Sequence, residues 1–427
     1  MRRRIQIAIL VTGCWLQVAG LQAQVNSDSL ISLYTKKMQK YLDKDKMASD
    51  FFSFTERGIE VHAPATDTTR RKLELFIAWN NMDKVKDIFR YPDFQKYLTQ
   101  EKISNWAVYA DAFEDNFTSP KGILHGYKIA LDPGHIAGDL ETAKTEKKWV
   151  EMKNPPVQLI EGELTLATAL ILKKKLEAEG ATVMLTRDQP NQSAFGLDYK
   201  TWKDSLFAQS IDSAYAKGDI SFEEKNYLRY KANDTEIFRR FFMLEDVRER
   251  ARKINAFHPD LTLIIHYNVD ETNQNWNKPT KKDYVMGFVG GSFSNDEFEK
   301  PEARIEFLRL LLTDDVEHSI EFSKYIVGSL SEKLKVPAAL DSNAIYLRDN
   351  CMNTDASGVF CRNLTLTRMV KGTLCYGESL YQDNINECKA LSKKDVKIGE
   401  METSKRVEEV AEAYYQGIMN YVKSKNK

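Results

Sequence analysis

The stretch Lys128-Ile129-Ala130-Leu131-Asp132-Pro133-Gly134-His135 decides how the rest of this chain is read. Ile129 to Leu131 form a short, branched apolar run of the kind that makes a buried strand, and Asp132-Pro133-Gly134 ends it. Pro133 has no N–H to offer a neighbouring strand, and Gly134 reaches backbone angles closed to other residues. His135 is therefore expected on the rim of a sheet. In open α/β sheets, binding sites collect beyond the carboxyl ends of the strands, which makes this histidine a candidate for chemistry.

Downstream, Asp139 to Pro156 is charged and proline-terminated and is expected to be an exposed loop over the site. Ile160-Glu161-Gly162-Glu163 leads into helical periodicity through Leu176 that stops at Gly180, and a second strand follows over Ala181 to Thr186. That is a βαβ unit, so parallel pairing is expected. A helix over Glu245 to Phe257 feeds a third strand, Leu261 to His266, which again ends in a histidine. Tyr284 to Val289 and Thr373 to Glu378 read as further strands, the latter ending in a carboxylate, while Asp315 to Leu334 and Ser404 to Val422 read as helices. The predicted class is α/β, a twisted, mostly parallel (mixed) sheet flanked by helices. Upstream, Leu30, Leu33, Tyr34, Met38 and then Leu73, Leu75-Phe76, Trp79, Met82 recur at helical spacing, which predicts a helical accessory domain over 24–120 with a linker at Asn116 to Gly122. Residues 121–427 form the main domain, with insertions at about 189–243 and 270–315.

The chain has 427 residues, 42% hydrophobic, and 61 basic residues against 62 acidic ones, so no global charge favours nucleic acid. Arg2 to Arg4, an apolar run from Ile5 to Leu21 and then Gln22-Ala23 have the layout of a secretory signal over 1–23. Export to the periplasm or cell envelope is expected. Val11-Thr12-Gly13-Cys14 offers a competing lipobox, and membrane attachment is expected only if Cys14 is lipidated. Cys351, Cys361, Cys375 and Cys388 remain, an even number that invites disulfides in an exported protein. They contain no C-x-x-C pair, which argues against a cysteine zinc site.

Two strands deliver His135 and His266 to one sheet edge, and Glu161 opens the helix after the first strand. Two neutral imidazoles and one carboxylate make the ligand set of a catalytic zinc with one position open. Zinc bound in this way lowers the pKa of water and polarises a carbonyl, which suits amide hydrolysis. Glu378, at the end of another core strand, is placed to move the proton.

These pieces resemble a family. Asp132-Pro133-Gly134-His135, Glu161 ahead of Leu164 to Ala169, Leu185-Thr186-Arg187, Arg248 to Asn255, Ile264 to Asn268 and Glu378 to Asn384 occur in the order seen in zinc-dependent N-acetylmuramoyl-L-alanine amidases of the amidase-3 type. The resemblance covers about residues 127 to 425. It implies that His135, Glu161 and His266 bind Zn2+, with Glu163 as the fallback for Glu161, and that Glu378 is catalytic. It also implies peptidoglycan or muropeptides as substrate, in cell-wall remodelling or cell separation. A zinc peptidase on a similar scaffold and a non-catalytic cell-wall-binding protein are the alternatives, and a regulatory protein acting on the inserted segments is a further expected partner. The chain departs from the family at Ile136-Ala137, where glycines are usual, at Thr373 in place of a proline, and in a late motif without its glycine. His62, His125, His258 and His318 lack a partner motif. Trp149, Trp202 and Trp276 lie in segments read as loops near the cleft, where packing and stacking on a glycan compete. One of Arg248, Arg250 and Arg252 is expected to pair with a carboxylate near the strand ends.

Overall fold

The computed structural model describes residues 27–64, 72–91, 93–106, 122–154, 156–273 and 277–426. The expected leader, Cys14, residues 116–121 of the linker and Trp276 lie outside them. The N-terminal part contains helices α1 (Ser27–Lys37), α2 (Met82–Phe89) and α3 (Gln100–Ser104), together with strands β1 (Phe52–Thr55), β2 (Gly58–His62) and β3 (Leu73–Ala78). These strands form an antiparallel sheet in the order β1-β2-β3. The stretch from Leu73 to Met82, read as one helix, is thus a strand followed by a turn and α2. Leu75 and Ile77 alternate into the core at a period of two, while Trp79 and Met82 belong to the next element.

The main sheet has seven strands: β4 (Lys128–Pro133), β7 (Thr182–Leu185), β8 (Leu261–Asn268), β9 (Met286–Val289), β10 (Cys351–Asn353), β11 (Val359–Arg362) and β12 (Leu374–Tyr381), in the order β10-β11-β9-β12-β8-β4-β7. From β12 through β8 and β4 to β7 every pairing is parallel, whereas β9 runs antiparallel to β12 and β10 antiparallel to β11. The mostly parallel, mixed sheet is as expected; the strand read over Tyr284 to Val289, within residues 270–315, is β9 in its interior, and β10 and β11 are strands not expected from the sequence. Between β4 and β7 lie α4 (Leu140–Glu146), the hairpin of β5 (Trp149–Lys153) and β6 (Pro156–Ile160), and α5 (Glu161–Ala178). The segment read as an exposed loop is therefore a helix and a hairpin, and its Glu146 is buried.

Alternation along the strands sorts the core. Ile129, Leu131, Leu263 and Ile265 face α5, α12 (Asp315–Leu334) and α16 (Lys405–Lys425), while Ala130 and Ile264 face α10 (Met243–Phe257) and α14 (Thr365–Met369) on the opposite side. Short helices α13 (Ile345–Asn350) and α15 (Glu387–Leu391) and the longer α11 (Pro301–Leu312) complete this body. The N-terminal part shares its core: the Phe52 ring stacks on Phe307 of α11 at 4.5 Å, and Arg304 pairs with Glu74 at 2.6 Å. Residues 199–237 carry α6 (Tyr199–Ser205), α7 (Phe207–Lys217), α8 (Phe222–Tyr230) and α9 (Asp234–Ile237), which close around Trp202, Phe238 and Phe242. Trp202 is thus core, its indole N–H donating to Glu245, and is not a glycan platform. The four cysteines are unpaired, three of them fully buried, so the expected disulfides are absent.

Asp283, between β8 and β9, carries one pH-sensitive piece of this stability. Burial and then the nearby Glu387 charge push its pKa from 3.8 to about 7. The folded chain binds this proton more tightly than the unfolded one, so the contribution is present at low pH and is lost as pH rises through about 7. Asp283→Asn keeps an acceptor for the Tyr381 N–H and removes the titration. Its Tm relative to wild type should climb between pH 4 and pH 8, and a pH-independent difference would contradict this.

Candidate metal centre

The turn after β4 is clamped by two buried arginines. Arg250 of α10 donates from Nε to Asp246, from Nη1 to Asp132 and to the Pro133 carbonyl at 2.7 Å, and from Nη2 to the His135 carbonyl at 3.1 Å. This is the expected arginine–carboxylate pairing; Arg252 meets only Glu249 at the surface. Arg187, just past β7, donates to the carbonyls of Pro133, Gly134 and Gly162. Burial and then the neighbouring Arg250 charge bring Arg187 down to about 9. His135 itself has φ of 58°, the left-handed region that a non-glycine residue occupies only when its surroundings hold it there. Gly134 has no room for a side chain: a Cβ would lie 2.2 Å from the His266 ring.

Because Arg250 pairs with Asp132 and Asp246 in a buried site, Arg250→Met would strand two buried carboxylates. A loss of about 3–5 kcal/mol is expected from urea unfolding, against about 0.5 kcal/mol or less for Arg252→Met at the surface. Equal midpoints for the two variants would contradict the clamp.

The remaining geometry follows from the register. Glu378 on β12 is paired with His266 on β8, so one sheet edge carries both. Glu161 opens α5 directly behind them and reaches both histidines: its Oε1 lies 3.0 Å from His266 Nδ1 and 3.3 Å from His135 Nε2. Glu163 is not part of this group and is only half-buried. Among the described residues, His135, Glu161 and His266 form a group able to hold a metal ion, their ligand atoms all within 4.8 Å of one another. They line a cleft of about 370 Å³ with Lys148, Asn268, Tyr346, Arg362, Tyr376 and Glu378. A larger depression of about 760 Å³, beside Lys147 and Arg239, brings no such ligand set together.

The electrostatics suit a cation. Burial opposes charge on Glu161, yet His135 and Lys148 outweigh it and hold the carboxyl well below its usual range. Burial takes His266 down to about 4, leaving it a neutral imidazole, with the Tyr376 ring stacked on it at 4.5 Å. Glu378 is pushed up to about 8 by burial and then by Glu161. His135 Nε2 and Glu378 Oε2 are both buried and without hydrogen-bond partners, orphans that an added cation and a water would satisfy. The donor set therefore fits zinc.

Two contacts were not anticipated. Gln382 donates to Glu161 Oε2 at 3.3 Å, and the Glu146 carboxylate meets His135 Nδ1 at 2.9 Å. Gln382 lies within the late motif, so its position was a signal; Glu146 sat inside the supposed loop. The structure also accounts for Ile136: its side chain is buried among Trp202, Phe238 and Phe242, so the inserted helices plug in directly beside the ligand turn. Trp149 packs, half-buried, beside Ala137, Ala143 and Ile160.

Comparison with known proteins follows the same region. A family profile described as N-acetylmuramoyl-L-alanine amidase matches residues 129–420. The probable cell wall amidase LytH of Staphylococcus aureus is 33% identical over 110 residues, which are 25% of this chain and 34% of that protein. The chain thus spans about a third of the length of the curated relatives it matches. Among solved structures, the CwlD amidase from Clostridioides difficile, determined in complex with the GerS lipoprotein, aligns at 17% identity and a TM-score of 0.38 over 70% of this chain and 99% of that one. The apo amidase Ami1 from Mycobacterium abscessus aligns at 14% identity and a TM-score of 0.38 over the same shares.

Proposed function

The chain belongs to the N-acetylmuramoyl-L-alanine amidase family, and on that premise we propose that it is a zinc-dependent hydrolase of peptidoglycan, cleaving the amide between the lactyl group of N-acetylmuramic acid and L-alanine. The observation that carries this reading is the buried His135–Glu161–His266 cluster facing Glu378 in one cleft. His135, Glu161 and His266 are the metal ligands and Glu378 is the catalytic residue.

Zinc, when bound, supplies a Lewis acid for the scissile carbonyl and lowers the pKa of water toward neutrality. Glu378 takes a proton from the attacking water and delivers it to the departing L-alanine nitrogen. Glu161 contributes the one negative charge of the ligand set, and Gln382 holds its second oxygen. Arg362, its guanidinium 4.7 Å over the Tyr346 ring, and Lys148 place positive charge on the cleft wall, which suits a stem peptide bearing carboxylates.

The protein acts in the periplasm or cell envelope, in wall remodelling or cell separation. No helix among the described residues is long and apolar enough to cross a membrane. A regulatory protein would find its handle on the inserted helices, whose core reaches Ile136.

The reading is tested by dye release from labelled sacculi with purified protein, with chelator, and after zinc is restored. Release that chelator abolishes and zinc restores is expected. Sacculus binding without release would identify the non-catalytic alternative.

A further inference from the structure

The His135 imidazole is held from both sides by carboxylates, and only one of them belongs to the ligand set. Its Nε2 lies 3.3 Å from Glu161 Oε1 and makes no hydrogen bond, whereas Nδ1, on the far side of the ring, is 2.9 Å from Glu146 Oε1. The other Glu146 oxygen accepts the backbone N–H groups of Ile136 and Ala137 at 3.3 and 3.2 Å. One buried side chain thus ties down three consecutive residues of the turn, including the residue with positive φ.

The helix carrying it is built for that placement. Asp139 caps α4 by accepting from the Thr142 N–H, Lys147 closes it in the left-handed region, and the helix rests on α9 of the inserted segment. An ionised carboxylate facing Nδ1 requires a hydrogen there, so in the neutral imidazole that a metal binds the lone pair is on Nε2.

We propose that Glu146 is a positioning residue for the metal site: it fixes His135 in the Nδ1–H tautomer, aims Nε2 into the cleft and raises the basicity of that nitrogen. This rests on the zinc reading given above. Glu146 neither lines the cleft nor belongs to the ligand group. It acts through His135, and the inserted helices that support α4 support the ligand with it.

The test is zinc affinity, measured by competition with a chromophoric chelator on the full chain, for wild type, Glu146→Ala, Glu146→Gln and the exposed control Glu141→Gln on the same helix. Glu146→Ala should weaken zinc binding roughly 10–100-fold, the usual effect of losing an outer partner of a ligating histidine. Glu146→Gln keeps an acceptor oxygen and loses the charge, so it should fall between Ala and wild type, and Glu141→Gln should match wild type. Circular dichroism checks folding, and if the alanine variant does not fold, the isosteric glutamine variant decides. Folded Glu146 variants that hold zinc as tightly as wild type would overturn the proposal and leave the zinc reading standing. A wild-type protein that takes up no zinc would overturn both.

Discussion

Glu378→Gln is expected to retain zinc and to cleave peptidoglycan roughly 10²–10⁴-fold more slowly, the range that a positioned proton carrier contributes. Glutamine has nearly the same shape, so β12 and its register with β8 are kept. What is lost is a carboxylate that can accept a proton from water. Glu378 Oε2 is buried and makes no hydrogen bond to the protein. Burial and then the nearby Glu161 push its pKa up to about 8, so it holds a proton readily. A bound dication would favour the charged form and make it a base. Metal analysis and dye release on the same preparation check both halves. Wild-type turnover in Glu378→Gln would remove this residue from the mechanism.

The second large effect concerns the ligands. His135→Ala and His266→Ala should each weaken zinc by more than about 100-fold, beyond the loss that follows from removing an outer hydrogen-bond partner. Neither should release dye. Zinc that binds the folded state should stabilise wild type by about 2.7 kcal/mol when it is at 100 times its Kd, seen as a raised Tm, and should leave both variants unmoved. His266→Ala should also lower stability without zinc, because its ring fills the space between Gly134 and Tyr376. A zinc-dependent rise in Tm equal to that of wild type would show that the ion sits elsewhere.

What could be read from the sequence was whatever a single strand and its terminator encode. Ile129 to Leu131 followed by Asp132-Pro133-Gly134 has few alternatives, and Leu261 to His266 is too short and too branched to read otherwise. Those two strands, with Glu161 at the head of a long helix and Glu378 paired with His266 within β12, delivered the cluster. Contacts that no local pattern encodes were not legible. Glu146 lies on a seven-residue helix inside the segment read as a loop, where the only local signal is the Asp139 cap and nothing announces the contact with His135. Ile136 read as a departure beside the ligand because its partners, Trp202 and Phe242, stand far along the chain. The N-terminal sheet was hidden because β3 runs straight into a turn and α2, so Leu73 to Met82 imitates one helical stripe. Cysteine parity misled for another reason: Cys361, Cys375 and Cys388 are buried as small apolar side chains.

The central claim is a particular bond broken with the help of a metal, and mass spectrometry of digested peptidoglycan tests it most directly. Purified protein should release stem peptides with a free L-alanine amino terminus and leave intact N-acetylmuramic acid on the glycan, and chelator should suppress these products. Cleavage within the stem peptide would contradict the amidase assignment, and unchanged products in the presence of chelator would contradict the role given to His135, Glu161 and His266.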